Sequence, residues 1–362
     1  MTLHRLVLCA VLFCAAGALH SQTRIENIVL VTIDGFRWQE VFTGMDSALA
    51  RNPRFNQNDS AGLFERYWND DPEKRRTMLF PFLWSTVARE GQIYGNRLKG
   101  SLVDNANPYW FSYPGYSEIL CGYADTAINS NDYPDNPHTT VLEFLNAQPG
   151  YKGSVAAFCA WDAFDRIINE RRSGIPVVSA FQPCGGGAPS GRERLLNDML
   201  GNSFAPWGTE ECLDAFTHCA AVEDLTTRHP RVLYIAYGET DEWAHAGQYL
   251  NYLNAAHQND AWLAQLWGAI EQDPFYAKKT ALFIAVDHGR GADAKWTSHG
   301  KSVPGAHEIW CAILGPGVPA RGEISGGSPI SQRQFAQTLA SLLGLTYSAE
   351  HPVAPKFDLF AR

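Results

Sequence analysis

Asp241 and His245 are spaced i, i+4, and Asp287 and His288 are adjacent. Each cluster pairs a carboxylate with an imidazole, and each follows an apolar run: Val232 to Tyr237 before the first, Ala281 to Val286 before the second. A third apolar run, Ile28 to Ile33, ends on Asp34, and His299 follows in a His-Gly pair eleven residues after His288. Oxygen and imidazole donors of this kind suit Zn²⁺ or a similar borderline divalent ion, and there are more of them than one ion needs. On a helical turn Asp241 and His245 face the same way. Adjacent residues in extended chain point apart, so Asp287 can reach one ion or bridge while His288 binds another. A lone Asp after a strand is ordinarily a helix N-cap, and a lone His-Gly is an ordinary loop. The whole set at three strand ends is what points to a two-metal hydrolase.

A nucleophile for such a centre is offered by the segment Asn107 to Gly122, which carries Ser112 and Ser117. A serine at a helix entrance gains from the positive end of the dipole and from free N–H groups, which favour an anionic oxygen and a bound phosphate. The plainer readings are an N-cap for Ser112 and a first-turn surface residue for Ser117. The Gly-x-Ser-x-Gly run of a Ser-His-Asp esterase is absent: Gly115-Tyr116-Ser117 continues as Glu118-Ile119.

These groups must be positioned by a scaffold, and strand signals alternating with helical stretches predict an α/β fold. Strands are expected at Ser154 to Cys159, Ile175 to Phe181 and Ile309 to Leu314, and helices at Trp161 to Arg171, Tyr249 to Gln272 and Gln332 to Leu343. Strands ending on Asp or Asp-His would set these ligands along one rim of a parallel sheet, where open α/β sheets build their sites. The expectation is a three-layer α/β/α architecture with a central, mostly parallel sheet. Residues 22–362 would form one domain, with insertions near 46–100 and 182–229 covering the site. The first of these is polar and aromatic from Asp46 to Arg76. The second, from Gln182 to His229, is Gly/Pro-rich and then weakly helical.

The 29 Lys and Arg against 38 Asp and Glu give a net charge of −9. That argues against a nucleic-acid polymer as partner, and a small anionic substrate would then be held by local positive charge such as bound metal. Residues 1–21 read as a secretory signal: His4 and Arg5, the apolar stretch Leu6 to Ala16, then small and polar residues. That stretch is short for a membrane span. Cys9 and Cys14 follow Leu8 and Phe13, where a lipoprotein site wants Gly or Ala, so a periplasmic or secreted protein without a stable membrane anchor is expected. Of the remaining cysteines, Cys159 and Cys311 lie in strand-like runs and read as buried thiols, whereas Cys184, Cys212 and Cys219 are the better bridge partners.

The order of Asp34, a Ser-x-Pro element, Asp-x-x-x-His, Asp-His-Gly and a later His-Gly resembles the alkaline phosphatase superfamily. The nearest branch is the nucleotide pyrophosphatase/phosphodiesterases, whose Thr-Phe-Pro-Asn-His motif is similar to Ser112-Tyr113-Pro114-Gly115-Tyr116. This resemblance implies Ser112 as nucleophile. It also implies one zinc held by Asp241, His245 and His299, and another by Asp34, Asp287 and His288 with the Ser112 oxygen. An asparagine downstream, Asn129 or preferably Asn131, would donate to a phosphoryl oxygen. It implies hydrolysis of phosphate mono- or diesters through a phosphoserine. Gly115-Tyr116 in place of Asn-His, and Ser in place of Thr, leave monoester and diester both open. A sulfatase-like or phosphonate hydrolase is the alternative, although sulfatases carry Arg where this chain has Tyr116. A non-catalytic glycan-binding protein, suggested by the 11 Trp, would not need the full ligand set.

Overall fold

The computed structural model describes residues 24–360, so the expected signal, with Cys9 and Cys14, lies outside the described residues. One eight-stranded sheet is built from β1 (Asn27–Ile33), β2 (Gly91–Tyr94), β3 (Val155–Cys159), β4 (Val177–Ser179), β5 (Val232–Tyr237), β6 (Thr280–Ala285), β7 (Cys311–Leu314) and β8 (Gly322–Glu323). Their spatial order is β8-β2-β7-β6-β1-β5-β3-β4. All neighbours run parallel except β7, which is antiparallel to both β2 and β6.

β1, β5 and β6 are buried along their whole length, which is why they read as unbroken apolar runs rather than alternating ones. Helices cover both faces. The principal ones are α1 (Ser112–Cys121), α2 (Asp214–Thr227), α3 (Glu239–His245), α4 (Tyr249–Gln272) and α5 (Phe335–Leu342). Tyr234 packs edge-on against Phe164, and Phe164 in turn against Tyr116 of α1. Tyr237, which points to the other face by strand alternation, meets His218 of α2 and Trp262 of α4. The fold is the expected three-layer arrangement with a mostly parallel central sheet. Central β1 is flanked by β6 and β5 in a register that pairs Thr32 with Ala285 and Ile33 with Tyr237. Their carboxyl ends therefore finish side by side.

Local departures from the sequence reading have local causes. The helix expected over Trp161 to Arg171 is broken into Phe164–Ile167 and Glu170–Ser173. Between them Asn169 turns left-handed at φ 52° and its side chain accepts from Arg172 N–H. The stretch 182–229 is more than an insertion, since α2 packs on β3 and β5; likewise 46–100 supplies β2 as well as the short helices Ser47–Arg51, Ser60–Tyr67 and Pro72–Leu79. Cys184, Cys212 and Cys219, the better candidates for any bridge, form none. All described cysteines are free, with Cys184 Sγ donating to Asn197 Oδ1 at 3.2 Å and Cys212 Sγ lying 3.5 Å from Thr217 Oγ1. No described helix is long and apolar enough to cross a membrane.

Candidate metal centre

Asp34 follows β1 directly, α3 carries Asp241 and His245 just after β5, and Asp287 and His288 follow β6. The structure brings these groups together at one rim. His288 Nδ1 lies 3.0 Å from Gly289 O, so it carries the proton, and its Nε2 lone pair faces the carboxylates. That Nε2 is 3.4 Å from Asp34 Oδ1, 3.3 Å from Asp287 Oδ2 and 3.4 Å from Ser112 Oγ. The other oxygens of these carboxylates are satisfied: Tyr116 Oη–H donates to Asp34 Oδ2 at 2.8 Å, and Gly35 N–H donates to Asp287 Oδ1 at 3.0 Å. Asp34 Oδ1 and Asp287 Oδ2 are buried without a hydrogen-bond partner. Buried orphan oxygens are costly, and these two point at the same lone pair. A divalent cation there would satisfy all of them, so the donor set fits a metal.

The neighbouring group is built differently. His245 Nε2 is 2.9 Å from both Asp241 Oδ2 and His299 Nε2, and His299 Nε2 is 3.8 Å from Asp241 Oδ2. Asp241 Oδ1 is 3.9 Å from His288 Nε2, and the His288 and His299 rings stack with centroids 4.0 Å apart. The two groups thus share a wall, and Asp241, His288 and His299 also lie close enough to hold an ion. His299 is steered from behind by Trp110, whose carbonyl lies 3.3 Å from Nδ1. Trp110 adopts a left-handed φ of 55°, an unfavourable conformation for an aromatic residue that aims this carbonyl.

Arg290, two residues after His288, supports this second group. It is fully buried, hydrogen-bonded to Asp241 Oδ1 and to the carbonyls of Trp296 and Thr297. Burial works against the Asp241 carboxylate, yet Arg290, His245 and His299 hold it well below the usual carboxylate range. Asp34 and Asp287 have no such partner. Burial and then repulsion from Asp287, Asp241 and Glu211 push Asp34 well up, and burial is the main cause that carries Asp287 to about 6. Arg37 is likewise structural, buried against Glu40, and Tyr113 donates to Pro134 O.

Every residue of α1 is buried. Phe111 occupies the N-cap without a side-chain bond, leaving Ser112 in the first turn, its hydroxyl toward His288. Asn131 Oδ1 takes the Tyr113 N–H at 3.0 Å, so this side chain borders the serine; Asn129 is exposed. Ser117 turns inward, bonded to Asn136 Nδ2 at 3.1 Å. A Cβ on Gly115 would meet the Asp287 carbonyl at 2.5 Å, so glycine lets α1 lie directly on the Asp287 backbone. Glu118 anchors the same helix from inside, accepting from the N–H groups of Ala106, Asn107 and Arg333. Asn105 and Gln332 both donate to the Asp287 carbonyl. None of these supports carries a sequence signal, because each depends on contacts between distant segments.

Comparison with sequence-family models and with curated protein sequences returns no match. Solved structures do match in fold. Wild-type alkaline phosphatase PafA aligns with a TM-score of 0.62 at 10% identity, covering 92% of this chain and 98% of PafA. BT1596, a 2-O GAG sulfatase, aligns at 0.54 with 13% identity, covering 90% and 72%. A protein of the alkaline phosphatase superfamily from Vibrio parahaemolyticus aligns at 0.52 with 14% identity, covering 90% and 68%. The chain has the fold of the alkaline phosphatase superfamily.

Proposed function

We propose that the protein is an exported, two-zinc phosphohydrolase that cleaves small phosphate esters through a phosphoserine on Ser112. The observation that carries this reading is the meeting of Ser112 Oγ, the His288 Nε2 lone pair and the orphan oxygens of Asp34 and Asp287 at the start of α1. Asp34, Asp287 and His288 would hold one zinc; Asp241, His245 and His299 would hold the other. When bound, the pair would supply Lewis-acid charge at the Ser112 oxygen and at the leaving oxygen.

The chain's own residues do the rest. Burial of α1 fixes Ser112 so that its oxygen, as it gives up its proton to solvent, can attack phosphorus in line, forming the Ser–phosphate bond as the ester oxygen leaves with the electron pair and takes up a proton. Water then attacks the same phosphorus and returns the serine. With Tyr113 N–H taken by Asn131 Oδ1, Gly115 N–H by Phe111 O, and no N–H on Pro114, the Ser112 N–H and the Asn131 amide nitrogen would hold non-bridging oxygens. Tyr116 keeps Asp34 oriented through both steps.

Imidazole-rich donor groups favour zinc over the calcium of a sulfatase-like site, and Tyr116 is buried on Asp34 where that alternative would want an Arg. A panel of p-nitrophenyl phosphate, bis-p-nitrophenyl phosphate, a phenylphosphonate ester and p-nitrophenyl sulfate, assayed with added zinc, tests the reading. Turnover confined to a phosphate mono- or diester supports it; turnover confined to the sulfate overturns it.

A further inference from the structure

A second set of metal-type donors lies away from this centre, where the segment after α1 meets the C-terminal chain. Asp125, His138, Glu350 and His351 converge there around Tyr123, whose ring stacks on His351 and meets His138 edge-on. His138 Nε2 is 2.7 Å from Asp125 Oδ2, and Asp125 Oδ1 is fixed by the Ala127 N–H at 2.8 Å. A carboxylate bound to one imidazole nitrogen sets the tautomer and leaves the other as a bare lone pair, the usual arrangement behind a metal-binding histidine. That other nitrogen, Nδ1, faces Glu350 Oε1 at 3.9 Å, too far for a hydrogen bond.

His351 supplies an independent observation. It is 9% exposed, and both ring nitrogens face carbonyl oxygens, Nδ1 toward Pro352 O at 3.1 Å and Nε2 toward Thr139 O at 3.3 Å. A neutral ring can donate to only one of them, so the pair of contacts is completed by a cation on the other nitrogen, either a second proton or a metal ion. Donor atoms of His138, Glu350 and His351 all lie within 4.8 Å of one another. With ligand bonds of about 2.0–2.2 Å, three such donors fit around one ion with a position left for water.

We infer that His138, Glu350 and His351 form a structural site for a borderline divalent transition-metal ion, separate from the catalytic centre. Two nitrogens and one carboxylate oxygen favour zinc, cobalt or nickel over calcium or magnesium. The site would tie His138, and Asp125 through its hydrogen bond to His138, to the C-terminal chain. The segment from Asp125 to His138 carries Asn131, which caps the nucleophile helix. An ion that binds only the folded chain stabilises it by mass action.

The test uses untagged full-length protein stripped with chelator and titrated with Zn²⁺ alone. An Asp241→Asn/Asp287→Asn variant isolates this site from the catalytic one. It should still take up one tight equivalent of zinc and melt at a higher temperature with zinc present. Adding His351→Gln should remove both effects. Glu350→Gln, which keeps an oxygen to accept the Thr139 N–H that Glu350 Oε1 takes at 2.9 Å, should weaken uptake by more than it lowers the melting temperature of the metal-free protein, which separates ligand loss from misfolding. His351→Gln alone, saturated with zinc, should retain ester turnover within about twofold of wild type. The inference is overturned if the Asp241→Asn/Asp287→Asn variant binds no zinc, or if His351→Gln and Glu350→Gln leave its uptake intact. Because this background reads zinc binding without turnover, failure of the proposed hydrolase would not be mistaken for failure of this site.

Discussion

The two halves of the proposed catalytic centre use the same residue types and differ in how their charge is balanced. Asp34, Asp287 and His288 are buried, and among the described residues no Lys or Arg pairs with the two carboxylates. Asp241 is instead pinned by the buried Arg290, and its partner His245 is exposed. The first half would depend on a bound cation to offset the burial of its two carboxylates. The second is already partly neutralised by the chain itself. The difference teaches that metal should be held more firmly in the Asp34 half and exchange more readily in the Asp241 half, although both contribute an Asp and an imidazole.

The largest expected effect concerns the residue that only the buried half touches. Ser112→Ala should lower turnover roughly a thousandfold or more while metal content is unchanged. Ser117→Ala should cost far less, because its hydroxyl is bonded to Asn136 inside the helix packing. Steady-state kinetics with elemental analysis of both variants would check this, and equal losses would dissolve the distinction between the two serines.

Next comes the charge balance itself. Arg290→Met leaves Asp241 buried without its counter-ion, a loss worth about 3–5 kcal/mol for a broken buried pair. The metal-free variant should therefore unfold at markedly lower denaturant, and saturating zinc should recover much of the difference. Equal stability with and without Arg290 would show that the guanidinium does not neutralise this half.

The pH response sharpens the contrast from the other side. Burial raises Asp287 from 3.8 to about 6 in the folded state, so the folded chain holds that proton more tightly than the unfolded one. Its contribution to the stability of metal-free protein is therefore present at low pH and lost as pH rises from 3.8 to about 6. Denaturant titrations across that window should show the slope in wild type and a smaller one in Asp287→Asn. Asp241, held low, contributes in the opposite direction. A smaller effect is expected from Tyr116→Phe, which removes the hydrogen bond to Asp34 Oδ2. Zinc affinity should fall about 10–100-fold, as for other groups that orient a ligand, read by competition with a chromogenic chelator.

How much of this was legible in the sequence follows from which interactions are local. β1, β5 and β6 were readable because strands buried on both faces become continuous apolar runs, and their ends name Asp34, Asp241 and Asp287. The α4 limits were readable because apolar residues recur at helical spacing until Asp273-Pro274. α2 was not recognised as a layer helix, since its buried Glu223 and Asp224 face Arg192 and Arg228 and blur the apolar pattern. The supporting roles of Arg290 and Tyr116 were not legible, because nothing near them in sequence reveals a partner 49 or 82 residues away. The tie from Asn131 to Tyr113 spans a loop whose path the sequence does not set.

The central claim, that Ser112 carries the phosphoryl group, has a direct test. Zinc-loaded protein is mixed with a phosphate ester that it turns over, quenched at low pH to trap the covalent intermediate, digested, and mapped by peptide mass spectrometry. The account predicts phosphate on Ser112 in wild type and none anywhere in Ser112→Ala. Phosphate on Ser117, or undiminished turnover by Ser112→Ala, would contradict it.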